Sequence, residues 1–222
     1  MTRIYLVRHC EALGNVMRIF QGTTDLDISE LGAKQLEFLE KRFENINLDR
    51  VFSSPLIRTR KTAKAIIGNK NLKAEILNDI IELNGGIVEG RPFNEAFNEI
   101  EGLADTWNNH PQDFEPENGE KMRNAYERIW NAVQKIAHEN KGKTVACATH
   151  GGVLRCLNCR LNFGTIENLK DTPWSENTAV TLLEFDDDFN LTVKLQNDVS
   201  HLPEEYVNRK SRIVSKIDGD KK

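Results

Sequence analysis

The apolar positions of this chain fall into two kinds of segment, which are short continuous runs and longer stretches with helical spacing. Ile4 to Val7 and Val145 to Ala148 are runs of four apolar or aromatic residues, and Val51-Phe52 is a shorter candidate. Polar or glycine residues follow each run. Continuous apolar runs of this length are typical of strands that are covered on both faces, as in a parallel sheet. We therefore predict a strand at each of these positions.

Helical patterns lie between the runs. The segment 29–43 begins with Ser29, a favoured N-cap residue, and its apolar residues recur at helical spacing up to Phe43. In the segment 55–67 we expect Pro55 in the first turn of a helix, and Gly68 follows the end. A third helix is predicted over 118–141, before Gly142. Strands that alternate with helices predict an α/β fold, a three-layer sandwich with a mostly parallel central sheet and helices on both faces.

Three segments depart from this alternation. Residues 84–118 are rich in glycine, proline and aromatic residues and show helical spacing only around Pro92 to Trp107, so we interpret them as a helical and loop insertion over the sheet, called here the lid segment. Residues 177–197 alternate around the turn DDDFN and predict an antiparallel hairpin. Residues 203–222 show little periodicity and are interpreted as a solvated tail. The whole chain, 1–222, is expected to form a single domain.

Composition narrows the classes of partner. A net charge of −4 gives no broad cationic face, so a nucleic acid partner is not expected. No stretch approaches the about 18 consecutive apolar residues of a membrane span, and residues 1–9 are too short and too soon charged for a secretion signal. We expect a cytoplasmic protein with no membrane partner. The sequence leaves its oligomeric state unknown.

The four cysteines, Cys10, Cys147, Cys156 and Cys159, are few for this length and predict free thiols in a reducing compartment. Cys156 and Cys159 form the single CxxC, which lacks the second pair that would complete a zinc site, and there is no HExxH. A thioredoxin-like CxxC normally opens a helix, whereas this one lies one turn after His150, so two packed small residues are the favoured interpretation. We predict neither a metal nor a cofactor.

Basic and histidine side chains follow the predicted strands directly. Arg8 and His9 end the first run and His150 follows the second, while Arg58 lies in the first turn of the helix after the third. Ligands of open α/β sheets bind at the carboxyl ends of the strands, so these residues should converge there. Guanidinium groups match phosphate oxygens bidentately, and helix N-termini add N–H donors. The sequence therefore predicts a compact anion site.

Six segments, taken in chain order, resemble the motifs of the histidine phosphatase superfamily, the phosphoglycerate mutase-like proteins. They are LVRHCEALGN (6–15), QGTTDLDISELGAKQL (21–36), VFSSPLIRTRKTA (51–63), IIELNGGIVEG (80–90), FEPENGEKM (114–122) and CATHGGVLR (147–155). The resemblance covers nearly the whole chain.

The resemblance implies a role for each matched residue. His9 is the nucleophile that takes the phosphoryl group, and Glu82 is the general acid that protonates the leaving alkoxide. Arg8, Arg58 and His150 stabilise the charge on the non-bridging oxygens. Asn15 and Gln21 match positions that donate further hydrogen bonds to phosphate. The implied activity is a metal-independent phosphomonoester hydrolase that acts on a small phosphorylated metabolite through a phosphohistidine.

Two alternatives stay open at this point. The cofactor-dependent mutases of this family carry a longer, arginine-rich lid, whereas the lid segment here has one arginine, Arg91, so a phosphatase is favoured over a mutase. A catalytically silent module that binds phosphorylated ligands is the other alternative. All the matched core residues are present, which argues against it.

Three features raise further expectations. Cys10 stands where the family usually has glycine, and it is interpreted as a packed small residue, with an oxidisable thiol beside a cationic site as the alternative. Val88 stands where the family often has tryptophan, which predicts that the lid's substrate wall has less aromatic surface than is usual in the family. The aromatic residues of the lid segment either cover the substrate or form the lid's own core; they are Phe93, Phe97, Trp107 and Phe114.

Overall fold

The computed structural model describes residues 1–207, which form six strands and seven α-helices. The strands are β1 (Thr2–Arg8), β2 (Arg50–Ser53), β3 (Ala74–Ile76), β4 (Thr144–Thr149), β5 (Val180–Phe185) and β6 (Leu191–Asp198). The helices are α1 (Leu13–Met17), α2 (Glu30–Phe43), α3 (Ile57–Ile67), α4 (Phe93–Glu99), α5 (Leu103–Asn109), α6 (Met122–Glu139) and α7 (Gly151–Phe163).

All six strands form one sheet in the order β3-β2-β4-β1-β5-β6. The first four strands in this order pair in parallel, whereas β5 runs antiparallel to both of its neighbours. The predicted α/β fold with a mostly parallel sheet is therefore confirmed, and so is the hairpin, which is β5 and β6. Because β1 and β4 are adjacent and parallel, their carboxyl ends meet at the same edge.

Both faces of the central strands are covered, which explains their continuous apolar runs. Leu6 of β1 and Cys147 of β4 belong to a core shared with α6, α7 and the lid segment. Val7 and Ala148, the next residues along the same strands, belong to a second core shared with α2 and α3. Side chains alternate between the faces of a strand, so both sets must be apolar.

Two helix starts test the predicted boundaries. The Ser29 hydroxyl accepts a hydrogen bond from Gly32 N–H (3.0 Å), which confirms the N-cap of α2. The position predicted for Pro55 is wrong, because α3 begins at Ile57 after the N-cap Leu56. The Asp25 carboxylate accepts a hydrogen bond from Ile57 N–H (2.7 Å), and a side chain distant in sequence thus fixes the start of this helix.

The lid segment contains α4, α5 and short 3-10 turns. Its sharpest turn requires glycine, because Gly86 has a φ of +52° and a Cβ there would lie 2.1 Å from the carbonyl oxygen of Glu117. The aromatic side chains of α4 and α5 pack against Phe20, which lies outside the segment. The organisation of the chain as one domain with a lid stays a prediction.

The predicted tail begins within the described residues. The ring of Tyr206 packs against Phe38 of α2, with ring centroids 5.1 Å apart, and Gln35 Nε2 donates to the Tyr206 carbonyl oxygen (2.9 Å). Residues 208–222 of that tail lie outside the described residues. No helix within residues 1–207 has the length and apolar composition needed to cross a membrane.

Candidate active site

Two histidines lie side by side where β1 and β4 end. Arg8 pairs with Thr149 in the sheet register, and His9 and His150 follow these two residues. The imidazole centroids are 5.3 Å apart and the rings are inclined at 61°. A backbone hydrogen bond from His9 N–H to the Thr149 carbonyl oxygen (2.8 Å) continues the pairing beyond the strands. The sheet register thus sets the distance between the two rings.

The ring of His9 is oriented by the main chain. Its Nδ1 lies 2.6 Å from the carbonyl oxygen of Cys10. A carbonyl oxygen can only accept, so Nδ1 carries the proton and Nε2 of the neutral ring keeps its lone pair. Burial, followed by the charges of Arg58 and Arg8, lowers the pKa of His9 well below its usual value. The ring is therefore neutral at pH 7, as a nucleophile must be.

His150 is fully buried behind His9. Its Nε2 lies 2.7 Å from the Ser54 hydroxyl, and its Nδ1 has no hydrogen-bond partner among the described residues. Burial is also the main reason that the pKa of His150 lies well below its usual value, and Arg58 and His9 lower it further. The Ser54 contact leaves Nδ1 as the nitrogen that can meet a ligand.

Two arginines are buried beside these rings. Arg8 donates through Nη1 to the Ser175 carbonyl oxygen. Arg58 donates through Nη1 to the carbonyl oxygen of Thr24 (2.9 Å), and through Nη2 to those of Gln21 and Gly22. Burial lowers the pKa of both guanidinium groups, that of Arg58 to about 10. Arg58 thus stays charged at neutral pH, and it also holds the loop that follows Phe20.

Several nitrogen atoms of these side chains lack a protein partner. In the described residues six buried side-chain polar atoms have no hydrogen bond, and four of them are Arg8 Nε, Arg8 Nη2, Arg58 Nε and His150 Nδ1. Buried donors without an acceptor cost free energy, so such a cluster within 1–207 calls for a ligand. An anion with several oxygens, such as phosphate, satisfies donors of this kind.

Glu82 is held at the N-terminus of α7. Its carboxylate accepts hydrogen bonds from Leu83 N–H (3.0 Å) and from Gly152 N–H (2.9 Å). The Thr149 hydroxyl donates to the Ile80 carbonyl oxygen (2.8 Å) and ties the preceding turn to the end of β4. A main-chain N–H of α7 and one of the loop itself thus fix the carboxylate, and a side-chain hydroxyl of β4 holds the loop that carries it.

The amides of Asn15 and Gln21 are oriented by backbone N–H groups. Asn15 Oδ1 accepts from Ala12 N–H (2.9 Å), and Gln21 Oε1 accepts from Gly14 N–H (3.0 Å). A Cβ at position 14 would lie 2.0 Å from Gln21 Oε1, so glycine makes room for this amide. Since both oxygens are engaged, the NH₂ groups remain for another acceptor.

One pocket gathers most of the predicted site residues. Arg8, His9, Asn15, Gln21 and Glu82 line it, whereas Arg58 and His150 are fully buried and are not among its lining residues. Among residues 1–207 there is no group of three or more histidine, cysteine, aspartate or glutamate side chains placed to hold a metal ion. The polar side of the pocket therefore offers N–H donors, one imidazole lone pair and one carboxylate.

Sequence reasoning missed the residues that orient this site. Ser54 contacts His150, the carbonyl of Ser175 receives Arg8, and Asn177 Nδ2 donates to the His9 carbonyl oxygen (3.0 Å). Only the position of Ser54 directly after a strand gave a signal. Ser175 lies before the segment predicted as a hairpin and Asn177 is its first residue. Both reach the site because β5, which follows them, pairs with β1.

Four aromatic side chains, Phe20, Phe93, Trp107 and Trp174, line the pocket. The expectation that Val88 makes the lid wall less aromatic than is usual in the family stays a prediction. The alternative of an oxidisable Cys10 is not supported, since the thiol is fully buried and burial raises its pKa to about 12. The main chain at Cys10 does not have a positive φ, so this position does not require glycine for that reason.

Comparisons with known proteins match both the sequence and the fold of this chain. A family model described as histidine phosphatase superfamily (branch 1) matches residues 4–198. Phosphoserine phosphatase 1 of Hydrogenobacter thermophilus is 30% identical over 210 residues, which cover 93% of this chain and 97% of that relative. Phosphoglycerate mutase-like protein 4 of Arabidopsis thaliana is 30% identical over 90% of this chain and 87% of its own. The solved structure of Bacillus stearothermophilus YhfR has a TM-score of 0.84 at 30% identity and covers 90% of this chain and 99% of its own.

Proposed function

Because the chain belongs to the histidine phosphatase superfamily, we propose that it is a metal-independent phosphomonoester hydrolase. In this proposal it acts on a small phosphorylated metabolite through a phosphohistidine on His9. The observation that carries the proposal is the neutral His9 ring, with its Nε2 lone pair available, beside four buried side-chain nitrogens that have no hydrogen-bond partner among the described residues. The similarity to a relative named phosphoserine phosphatase, over 97% of its length, supports phosphatase chemistry.

The first half of the reaction forms a bond between His9 and phosphorus. Nε2 attacks the phosphorus atom while the bond from phosphorus to the ester oxygen breaks, and Glu82 gives its proton to the leaving alkoxide. The charges of Arg8 and Arg58 stabilise the non-bridging oxygens, which carry the charge in the transition state, and the neutral His150 ring offers them a hydrogen bond through Nδ1. The products are the free alcohol, a phosphohistidine and an ionised Glu82.

The second half returns the enzyme to its starting state. The ionised Glu82 takes a proton from a water molecule, whose oxygen attacks phosphorus while the bond to Nε2 breaks. Inorganic phosphate leaves, His9 is neutral again and Glu82 is again protonated. Neither half requires a redox or group-transfer cofactor.

A mutase is the second candidate, favoured by the similarity to a phosphoglycerate mutase-like protein. Its cycle needs cations for a second phosphate or a carboxylate. The one arginine of the lid segment, Arg91, forms an ion pair with Glu99. Because Arg91 is already paired with Glu99, hydrolysis is favoured over the phosphoryl transfer that a mutase carries out. The silent binding module is the remaining alternative.

The deciding experiment measures phosphate release from a panel of phosphomonoesters in the presence of EDTA, with His9→Ala as the matched inactive variant. We expect release by the native protein, and a quench with alkaline detergent during turnover should trap a phosphoprotein that is stable to base and labile to acid. 2,3-Bisphosphoglycerate-dependent interconversion of phosphoglycerates without release would instead indicate the mutase. If no ester of the panel releases phosphate and no phosphoprotein is trapped, the silent binding module is the remaining interpretation.

A further inference from the structure

The pocket walls beyond the phosphate donors are apolar. Apart from Arg8, His9, Asn15, Gln21 and Glu82, the side chains that line it are apolar, and they include Phe20, Leu83, Phe93, Trp107, Met122 and Trp174. The polar residues are all accounted for by phosphate binding and proton transfer in the proposed reaction. The alcohol part of a bound ester would therefore contact aromatic and aliphatic side chains.

Among residues 1–207, Arg8 is the one lysine or arginine that lines the pocket, and the proposed reaction uses it to bind the phosphate. Within the described residues the charged or titratable lining groups are Arg8, His9 and Glu82. Arg155 is close but engaged, because its Nε donates to the Thr172 carbonyl oxygen (3.0 Å) and its Nη2 to that of Leu169 (2.8 Å). A carboxylate moved from water to such walls loses its hydration without gaining a partner, which is costly.

On these grounds, and resting on the proposed hydrolase, we propose that the substrate is a phosphomonoester whose alcohol is apolar and uncharged. Aryl and arylalkyl phosphates belong to this class. Phosphoserine and 3-phosphoglycerate, which carry a carboxylate, do not. Burial of the apolar alcohol against these walls supplies the discrimination.

Trp174 is the wall residue best placed to determine this specificity. It is half-buried, whereas Phe93 and Trp107 are nearly fully buried. The guanidinium of Arg155 lies over its indole, 4.7 Å from the ring centroid, and the Trp107 ring stacks beside it at a centroid distance of 6.0 Å. The indole is therefore fixed in position while part of its surface stays open to a ligand.

The test compares esters whose leaving alcohols are all aliphatic, so that leaving-group chemistry does not dominate. We expect kcat/KM for 2-phenylethyl phosphate to exceed that for phosphoserine and for 3-phosphoglycerate by about tenfold or more. Ethyl phosphate measures the reaction without the apolar contact. A higher kcat/KM for either carboxylate ester overturns the inference, while phosphate release itself would still support the hydrolase.

The variant Trp174→Ala tests whether the aromatic wall of the pocket causes the preference for apolar alcohols. This variant should lose about tenfold in kcat/KM for 2-phenylethyl phosphate and change little with ethyl phosphate. Trp130→Ala is the matched control, because Trp130 also lies under an arginine, Arg160, at 5.2 Å, but on α6 and outside the pocket lining. Equal losses on both esters, or equal losses in both variants, would contradict a specificity role for Trp174.

A second, independent observation concerns the segment that carries Glu82. Arg128 of α6 donates through Nη1 to the carbonyl oxygens of Asp79 (2.8 Å) and Ile81 (3.1 Å). Its Nε and Nη2 form a bidentate ion pair with Glu120, at 2.8 and 2.7 Å. Glu120 N–H in turn donates to the Asn84 carbonyl oxygen (2.8 Å). Arg128 and Glu120 therefore form hydrogen bonds with the main chain on both sides of Glu82.

We infer that Arg128 and Glu120 are positioning residues for the general acid, again on the basis of the proposed reaction. They act through the main chain at 79–84. A bidentate pair fixes the direction of the third guanidinium nitrogen, which a lysine cannot do. Loss of the pair should leave the phosphate donors in place and disturb only proton transfer to the leaving group.

The readout is the ratio of kcat/KM for an alkyl phosphate to that for 4-nitrophenyl phosphate, both measured on one sample. This ratio does not depend on the fraction of folded protein. Arg128→Met should lower it about tenfold or more, and Arg128→Lys should restore it only in part. Arg123→Met is the control, since Arg123 lies on the same helix but pairs with Asp113 and Glu167.

The double variant Arg128→Met, Glu82→Gln separates positioning from general damage. If Arg128 acts through Glu82, its substitution causes no further fall of the ratio once Glu82 is replaced. An unchanged ratio in Arg128→Met, or a full additional loss in the double variant, would refute the positioning role. A control variant that lowers the ratio equally would refute it too.

Discussion

Glu82 and Gly152 fit each other so closely that residue 152 has no room for a side chain. The backbone N–H of Gly152 donates to Glu82 Oε2 (2.9 Å), and a Cβ on residue 152 would lie 2.5 Å from Glu82 Oε1. The N-terminus of α7 thus holds the carboxylate directly beside the end of β4, where His150 lies. The position of the proposed general acid therefore depends on a glycine 70 residues away.

Replacement of Glu82 should separate substrates by leaving group. Glu82→Gln is expected to lower kcat for alkyl phosphates by about 10²- to 10⁴-fold, because an alkoxide needs a proton as it leaves. Aryl phosphates with acidic leaving groups should lose much less. Steady-state phosphate release on both ester types checks this, and equal losses on both would count against the general-acid role.

Gly152→Ala should reproduce this selectivity without removing the carboxylate. The added methyl group displaces Glu82 from the α7 terminus, so activity on alkyl phosphates should fall at least about tenfold. Alanine is favoured over glycine within a helix by about 1 kcal/mol, which offsets part of the steric cost, so the variant should remain folded. Thermal unfolding and the two ester assays together check the prediction.

A control for that variant exists at the other end of the same helix. Gly164→Ala alters the αL residue that ends α7, at a φ of +73°, and a Cβ there meets nothing within 4 Å. It should cost stability and leave the ester ratio unchanged. If Gly152→Ala leaves alkyl phosphate turnover intact, the close fit to Glu82 does not matter for the reaction.

Stability should fall as the pH drops below about 6.5. Burial holds the pKa values of His9 and His150 well below their usual value, so both are neutral in the folded state, while the unfolded chain binds protons with a pKa near 6.5. Below that pH each histidine lowers the free energy of unfolding by about 1.4 kcal/mol per pH unit. Above about pH 7 neither contributes a slope. Urea unfolding at pH 7.5, 6.0 and 5.5 measures how the free energy of unfolding depends on pH.

His201 provides a check on this assignment. Burial and the charge of Arg42 lower the pKa of His201 to about 4, and it lies away from the pocket lining. His201→Asn should reduce the slope between pH 6 and 5 and leave turnover at pH 7.5 unchanged. A free energy of unfolding that does not change between pH 7.5 and 5.5 would contradict neutral, buried histidines.

The thiol of Cys10 should be inert. It is fully buried, and its pKa of about 12 leaves almost no thiolate at neutral pH. Mild peroxide or iodoacetamide should therefore not reduce turnover of the native protein. Cys10→Ala, which keeps a small side chain, should also retain activity. Inactivation by peroxide that Cys10→Ala abolishes would restore the redox hypothesis.

Much of the fold follows from local pattern. The apolar runs at β1 and β4 and the spacing in α2 and α6 identify these elements, because strands covered on both faces and amphipathic helices leave different periodicities. The rule that ligands gather at the carboxyl ends of strands then predicts that Arg8 and His9 meet His150, and the structure places them together. The start of α3 could not be predicted, because the cap comes from Asp25, 32 residues earlier.

By itself, the sequence determined the family and the alternation of the main strands and helices, and it predicted which side chains would bind and transfer a phosphoryl group, since residue types and their spacing along the chain carry that information. Only the tertiary structure decided how these groups are oriented and what surrounds them. Ser54 beside His150, Arg128 behind Glu82 and Trp174 in the pocket wall are contacts between segments distant in sequence. Such contacts arise when elements pack against one sheet, and no local periodicity encodes them.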